Sequence, residues 1–236
     1  MNRSKLAVTA AFFGGLGLFD AVVGPLLARI ELIAPMAAFY FWILGSLAGI
    51  IGLVIGLLAL RPTGAGGKTG RGLALVGIVS GAVLLGVFLL NAGQGGDYPP
   101  INDITTDLAD PPQFKSDPAD RGRDMAYPAD FVPTVKAAYG DLASIVSRND
   151  PAKALDLAVS TAERLGWEVV ETDPAAGTLR ATHTTEVFRF VDDIVVRVRP
   201  GPQGSLIDVR SKSRDGQGDI GANAIRIRAF AEAFPN

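Results

Sequence analysis

The sequence predicts an α-helical membrane anchor of three transmembrane helices followed by a small α+β domain, a four-stranded, mainly antiparallel sheet with two helices on one face. Three observations carry this expectation. Apolar residues crowd into three runs before residue 91, each near or above the ~20 residues that cross hydrocarbon. Past residue 150 the apolar positions recur instead at helical spacing or at period two. Between the two regions lies a stretch rich in Pro and Asp.

The spans fall at about 6–27, 34–60 and 72–90, which makes 1–92 a transmembrane region. Asn2 to Lys5 forms a short basic segment like the start of a signal peptide, but no small-x-small cleavage site follows the first run. The loop Arg61 to Arg71 carries three cations and no anion, whereas the loop around Arg29 and Glu31 is neutral. Positive-inside logic therefore sets Arg61 to Arg71 and the N-terminus, with Arg3 and Lys5, in the cytoplasm. Three spans then carry the rest of the chain across, and in a bacterium the expectation is an inner-membrane protein with a periplasmic C-terminal domain. Gly45/Gly49, Gly52/Gly56 and Gly77/Gly81 are spaced to let helix backbones approach, within the bundle or at the face of a homo-oligomer. Asp20 is the one carboxylate inside a span: either an intramembrane functional group or an acid close to the outer headgroups.

Charge divides unevenly. The chain before Asp97 is about +4 and the remainder about −6, against a total of −2. An acidic outward domain excludes nucleic acid as a partner. The absence of Cys excludes disulfides and thiolate chemistry, and one histidine, His183, excludes multi-histidine metal sites, so no cofactor is expected.

Residues 93–133 hold seven prolines and many aspartates, an acidic leader that is either a spacer or strapped to the domain through Ile101, Ile104, Leu108 and Phe114. The region 134–236 is the expected α+β domain. Asp150-Pro151 starts a helix that Gly166 ends. Strands are expected at 167–171, 178–190, 194–199 and 206–213, the last two as a hairpin that pairs Val196 with Val209, Val198 with Ile207 and Arg197 with Asp208. Ile220, Ala224, Ile227, Ala231 and Phe234 stripe a final helix.

The segments PPINDITTD, PPQF, RFVDDIVVRV and above all DVRSKSRDGQGDIGANAIRI resemble the bacterial and plant family called domain of unknown function 1499. In that family a strand ending in Arg-Ser-x-Ser-Arg leads through Gly and Asp to an Asn-x-x-Arg-Ile helix. The resemblance spans roughly 98–234 and implies that the leader belongs to the domain. It implies no activity and no catalytic residue.

The candidate site residues come from that last segment: Arg210, Ser211, Ser213, Arg214, Asp219 and Asn223, a polar surface for a partner protein or an anionic envelope ligand. Arg210 and Arg214 with the amides of Gly221 and Ala222 could make an anion pocket, while Asp219 suits an N-cap that would occupy those amides. Asn223 is expected to tie down the preceding loop, and Arg226 to sit on a solvated helix face. An enzyme or lipid-handling protein would need Arg210, Arg214, His183 and Asp219 in one cleft. A third reading makes the chain an accessory subunit of a membrane complex through Asp20. No Gly-x-Ser-x-Gly elbow, phosphate loop or complete calcium loop is present, so the non-enzymatic reading leads. Asp192 and Asp193 should point to opposite faces of their strand, or form a turn with one bonded to Arg189.

Overall fold

The computed structural model describes residues 2–65, 67–94, 98–115 and 123–235. Pro118 of the leader lies outside them. The chain forms two compact units, Met1–Gly96 with Glu186–Arg189, and Asp97–Thr185 with Phe190–Asn236.

The first unit contains α1 (Lys5–Arg29), α2 (Pro35–Ala59) and α3 (Arg71–Gln94). All three are long and apolar enough to cross a membrane. Ser4 caps α1 by accepting the Ala7 amide, and Pro35 opens α2 at a position where no amide is needed. Glycines set the packing. A Cβ on Gly52 would stand 2.6 Å from the Gly14 nitrogen, one on Gly77 2.7 Å from the Ala10 oxygen, and one on Gly17 2.6 Å from the Gly45 oxygen. The small-residue spacing thus serves contacts among the three helices themselves, where apolar lipid gives helices no hydrophobic reason to associate. The Ser4 amide donates to the Thr69 carbonyl (2.9 Å) and the Thr69 amide to the Asn2 carbonyl (3.3 Å). That stitch gathers Arg3, Lys5, Lys68 and Arg71 at one end of the bundle.

The second unit is built on an antiparallel sheet of six strands rather than four. Its order is β1 (Asp103–Thr105), β6 (Gly204–Ser213), β5 (Val191–Gly201), β4 (Thr178–Thr184) and β3 (Glu168–Asp173), with β2 (Ile145–Ser147) also on β6. The two extra strands have three residues each, too short to display a period, and both pair with the edge of β6 that the hairpin leaves open. The hairpin register is as expected: Val196 opposes Val209, Val198 opposes Ile207, and Arg197 opposes Asp208. β4 stops at Thr184 instead of running to Phe190, because the Thr185 amide donates to the Phe190 carbonyl and Arg189 turns the chain at φ 63°.

α4 (Phe131–Ala138), α5 (Pro151–Arg164) and α6 (Ala222–Ala233) complete the unit. α5 packs across β3 to β6, and α6 packs on β6 and β1. Leu179, Ile194, Val196, Val198, Ile207 and Val209 face α5 and α6 through Leu155, Ala158, Ala224, Ile227 and Phe230, with Trp167 stacked on Phe230 at 5.2 Å. The buried stripe of α6 differs from expectation at two positions. Ile220 precedes the helix and Ala231 is exposed, while Asn223, Arg226 and Phe230 take the inner face. The opposite sheet face is charged, and the described leader residues lie along it, through bonds set out next.

Candidate functional site

Strand alternation splits the motif of β6 between two faces. Arg210 and Lys212 point to the leader side. Arg210 is fully buried: its Nε and Nη2 donate to the two carboxylate oxygens of Asp103 (2.9 and 2.7 Å), and its remaining donors reach the Pro112 and Met125 carbonyls. Phe114 and Tyr127 lie against the guanidinium at 4.7 and 5.2 Å. Lys212 adds a third cationic contact to Asp103 (3.0 Å). Arg197 and Arg199 extend this seam by binding Asp208 of β6 and Asp107 of the leader. Burial pushes the Asp208 carboxyl up, but the Ser144 hydroxyl and the two guanidinium groups outweigh it and hold the group below the usual carboxylate range.

Ser211 and Ser213 point to the helices, where a second polar network replaces apolar packing. The Ser211 hydroxyl donates to Asn223 Oδ1 (2.6 Å), and Asn223 Nδ2 donates to Ser213 Oγ (3.0 Å) and the Asn102 carbonyl (3.2 Å). Arg226 is buried rather than solvated. Its Nη1 donates to Ser211 and Asn223, and its Nη2 to Asp192 (2.6 Å) with His183 Nδ1 at 3.2 Å. Burial, with Arg226 as a second cause, holds the His183 imidazole below its ordinary range. Asp193, one residue on, turns to the other face and takes Arg214 (2.7 Å) and Arg123 (2.8 Å). Opposite faces therefore hold for the aspartate pair, while the turn bonded to Arg189 is replaced by a strand.

The two networks share one exposed product, the loop from Arg214 to Gly221. Asp219 accepts the Gly221 amide on one oxygen and the Asn223 amide on the other, both at 2.9 Å, and its carbonyl accepts the Ala222 amide at 3.1 Å. The amides of the anticipated anion pocket are thus consumed by Asp219, that of Gly221 by its carboxylate and that of Ala222 by its backbone carbonyl. From the leader side, the Asp219 amide donates to the Ile101 carbonyl, Asn102 Nδ2 donates to the Gly216 carbonyl, and the Tyr98 ring closes on Gly221. Ile220, between these clamps, has φ 53° and is 65% exposed. A β-branched residue there is a conformational outlier, since its side chain crowds the following carbonyl.

Of the six sequence candidates, Ser211, Ser213 and Asn223 form one cluster, Asp219 clamps its edge, and Arg210 and Arg214 lie on the opposite face. Arg210, Arg214, His183 and Asp219 do not share a cleft. A cavity of about 30 Å³ opens beside Arg214, lined also by Phe114, Met125, Arg180, Thr182 and Asp193. It has room for about two waters, far below the 300 Å³ or more of a ligand pocket. Among the described residues no cluster of His, Asp and Glu could hold a metal ion. Asp103, Asp192 and Arg226 escape sequence reasoning as site members. The only available signals were the opposite-facing aspartate pair and the position of Arg226 three residues after Asn223.

A family model described as protein of unknown function, DUF1499, matches residues 103–234. That is more than half of the chain. The protein belongs to the DUF1499 family. A search of curated proteins finds no match. The match begins at Asp103, the leader residue that pairs Arg210, so the DUF1499 domain includes both halves of the buried ion pair.

Proposed function

We propose that this DUF1499 protein is a membrane-tethered binding module whose loop 214–221 engages a partner protein outside the cytoplasm. The carrying observation is Ile220: an exposed, strained, β-branched side chain that two buried networks hold in place. Strain of this kind persists only where surroundings over-determine it, and it collects at functional positions. Arg210, Ser211, Ser213, Arg214, Asp219, Asn223 and Arg226 are then the frame, and Ile220 with the exposed Gly216, Gln217 and Gly218 the part a partner meets. An exposed loop beside a cavity of about 30 Å³ suits a protein surface better than a small ligand.

The orientation follows from charge. Arg3, Lys5, Lys68 and Arg71 gather at one end of the helical unit, and positive-inside logic sets that end in the cytoplasm of a bacterial inner membrane with the DUF1499 domain periplasmic.

A photo-cross-linker at the exposed Gln217 of the full-length protein in its native membrane tests the reading. The expected result is a discrete protein adduct that falls at least about tenfold in Ile220→Asp while the domain stays folded, a loss of 1.4 kcal/mol or more in binding. No adduct, or one indifferent to Ile220→Asp, removes the binding role. Because the chain has no cysteine, Gln217→Cys gives a single label site. It should react with a membrane-impermeant maleimide from the periplasmic side, and reaction only from the cytoplasmic side reverses the topology.

A further inference from the structure

Between the ends of α1, Asp20 is the one ionisable side chain. Asp20 stands nine residues before Arg29 at the end of α1, about 13 Å inward along the axis at 1.5 Å per residue. The midpoint of the Lys5–Arg29 helix is only three residues away, so Asp20 belongs to the hydrocarbon layer and not to the headgroups. Its Cβ faces Gly45 of α2, where the absence of a side chain leaves a notch, and the residue stays partly open at the bundle surface. Among the described residues no hydrogen bond or ion pair reaches it. The hydroxyl of Ser46, next to Gly45, is spent elsewhere, donating to the Trp42 carbonyl at 2.8 Å.

Pro25 deepens the imbalance. Lacking an N–H, it cannot donate to the Ala21 carbonyl four residues earlier, so a backbone acceptor is released one residue from Asp20. A carboxyl group without a donor at this depth, near a helix turn whose proline supplies no amide, calls for a group with several donors and a positive charge. A second copy of this chain cannot supply it. Lys and Arg occur only at the ends of α1 and α3, α2 has none, and the three helices contain no histidine.

We infer that α1 is one side of a heteromeric contact in which Asp20 receives a Lys or Arg from a transmembrane helix of a different protein. The contact is separate from the loop at Ile220 and stands or falls without it.

A hydrophobic carbodiimide is the probe, because it reaches carboxyl groups in apolar surroundings and is kept from those that a partner covers. Full-length protein would be treated in native membranes and, after purification, as single copies in lipid nanodiscs, with the adduct at Asp20 read by peptide mass spectrometry. The expected result is labelling in nanodiscs and at least tenfold protection in native membranes. A photo-cross-linker at Leu16, one turn before Asp20, should then capture a helix with Lys or Arg inside its span, and Asp20→Asn should abolish that capture. Equal labelling in both settings overturns the inference, as does protection already present in nanodiscs. Protection regained by purified protein alone at high density in liposomes would make the occupant a second copy and overturn it too. So would a captured helix without a basic residue, or no capture.

Discussion

Arg210 shows how a residue can be selected by its chemistry and still be unavailable for binding. Its charge is buried against Asp103, and taking away either partner strands the other in a medium that cannot solvate it. Arg210→Ala should therefore destabilise the domain by about 3–5 kcal/mol. Asp103→Ala should cost a similar amount, and the double variant should lose clearly less than the two together, since each single change already includes the same stranded charge. Chemical denaturation of the four proteins measures this, and additive losses would dissolve the pair. His183 makes a second prediction. Its folded value lies below the ordinary 6.5, so on acidification the unfolded chain takes the proton first. The stabilisation is complete above about pH 6.5 and is lost as pH falls toward the folded value. Unfolding followed at Trp167 in a Trp42→Phe background should show that decline as pH falls below about 6.5, and His183→Gln should flatten it.

The loop before α6 repeats the lesson at the level of an element. Helix α6 begins at a glycine in the left-handed region, φ 79°, with Asp219 supplying the cap from two residues upstream. Ile220→Gly removes a side chain that crowds the backbone and buries little, so it should stabilise the domain by about 1 kcal/mol, a rise of a few degrees in Tm. Loss of stability would mean that Ile220 has packing the strain argument ignores. How legible an element was in the sequence tracked its length. The β5–β6 hairpin could be registered residue by residue because strands of eleven and ten residues alternate long enough to fix the pairing. β1 and β2 could not, since three residues carry no period. Helix α6 was legible as a helix but not in its inner face, because Asn223 and Arg226 occupy positions that hydrophobic periodicity assigns to solvent.

At the scale of the whole molecule, Asp103 and Arg210 are 107 residues apart, and no local rule connects them. The motif around Arg210 was visible in the sequence, but its partner lay in a segment that composition marks as linker. The described leader instead contributes a strand, the acidic side of an ionic seam and the Tyr98 lid on Gly221. A fragment beginning at residue 98 should unfold cooperatively, whereas one beginning at residue 134 should not fold, because Arg210 would lose Asp103 and β6 would lose an edge partner. Thermal circular dichroism on the two fragments decides this, and a cooperative transition in the shorter one would reduce the leader to a spacer.

The pairing of β1 with β6 also sets a clock. Asp103 and Lys212 are 109 residues apart, so the first strand made after the third apolar helix waits for nearly the last. At 5–20 residues per second that interval is roughly 5–20 s. Through it, the leader's carboxylates and the open edge of the growing sheet have no native mates. The slowest vulnerable species of this domain is therefore a nascent chain whose β1 is made and whose β6 is not.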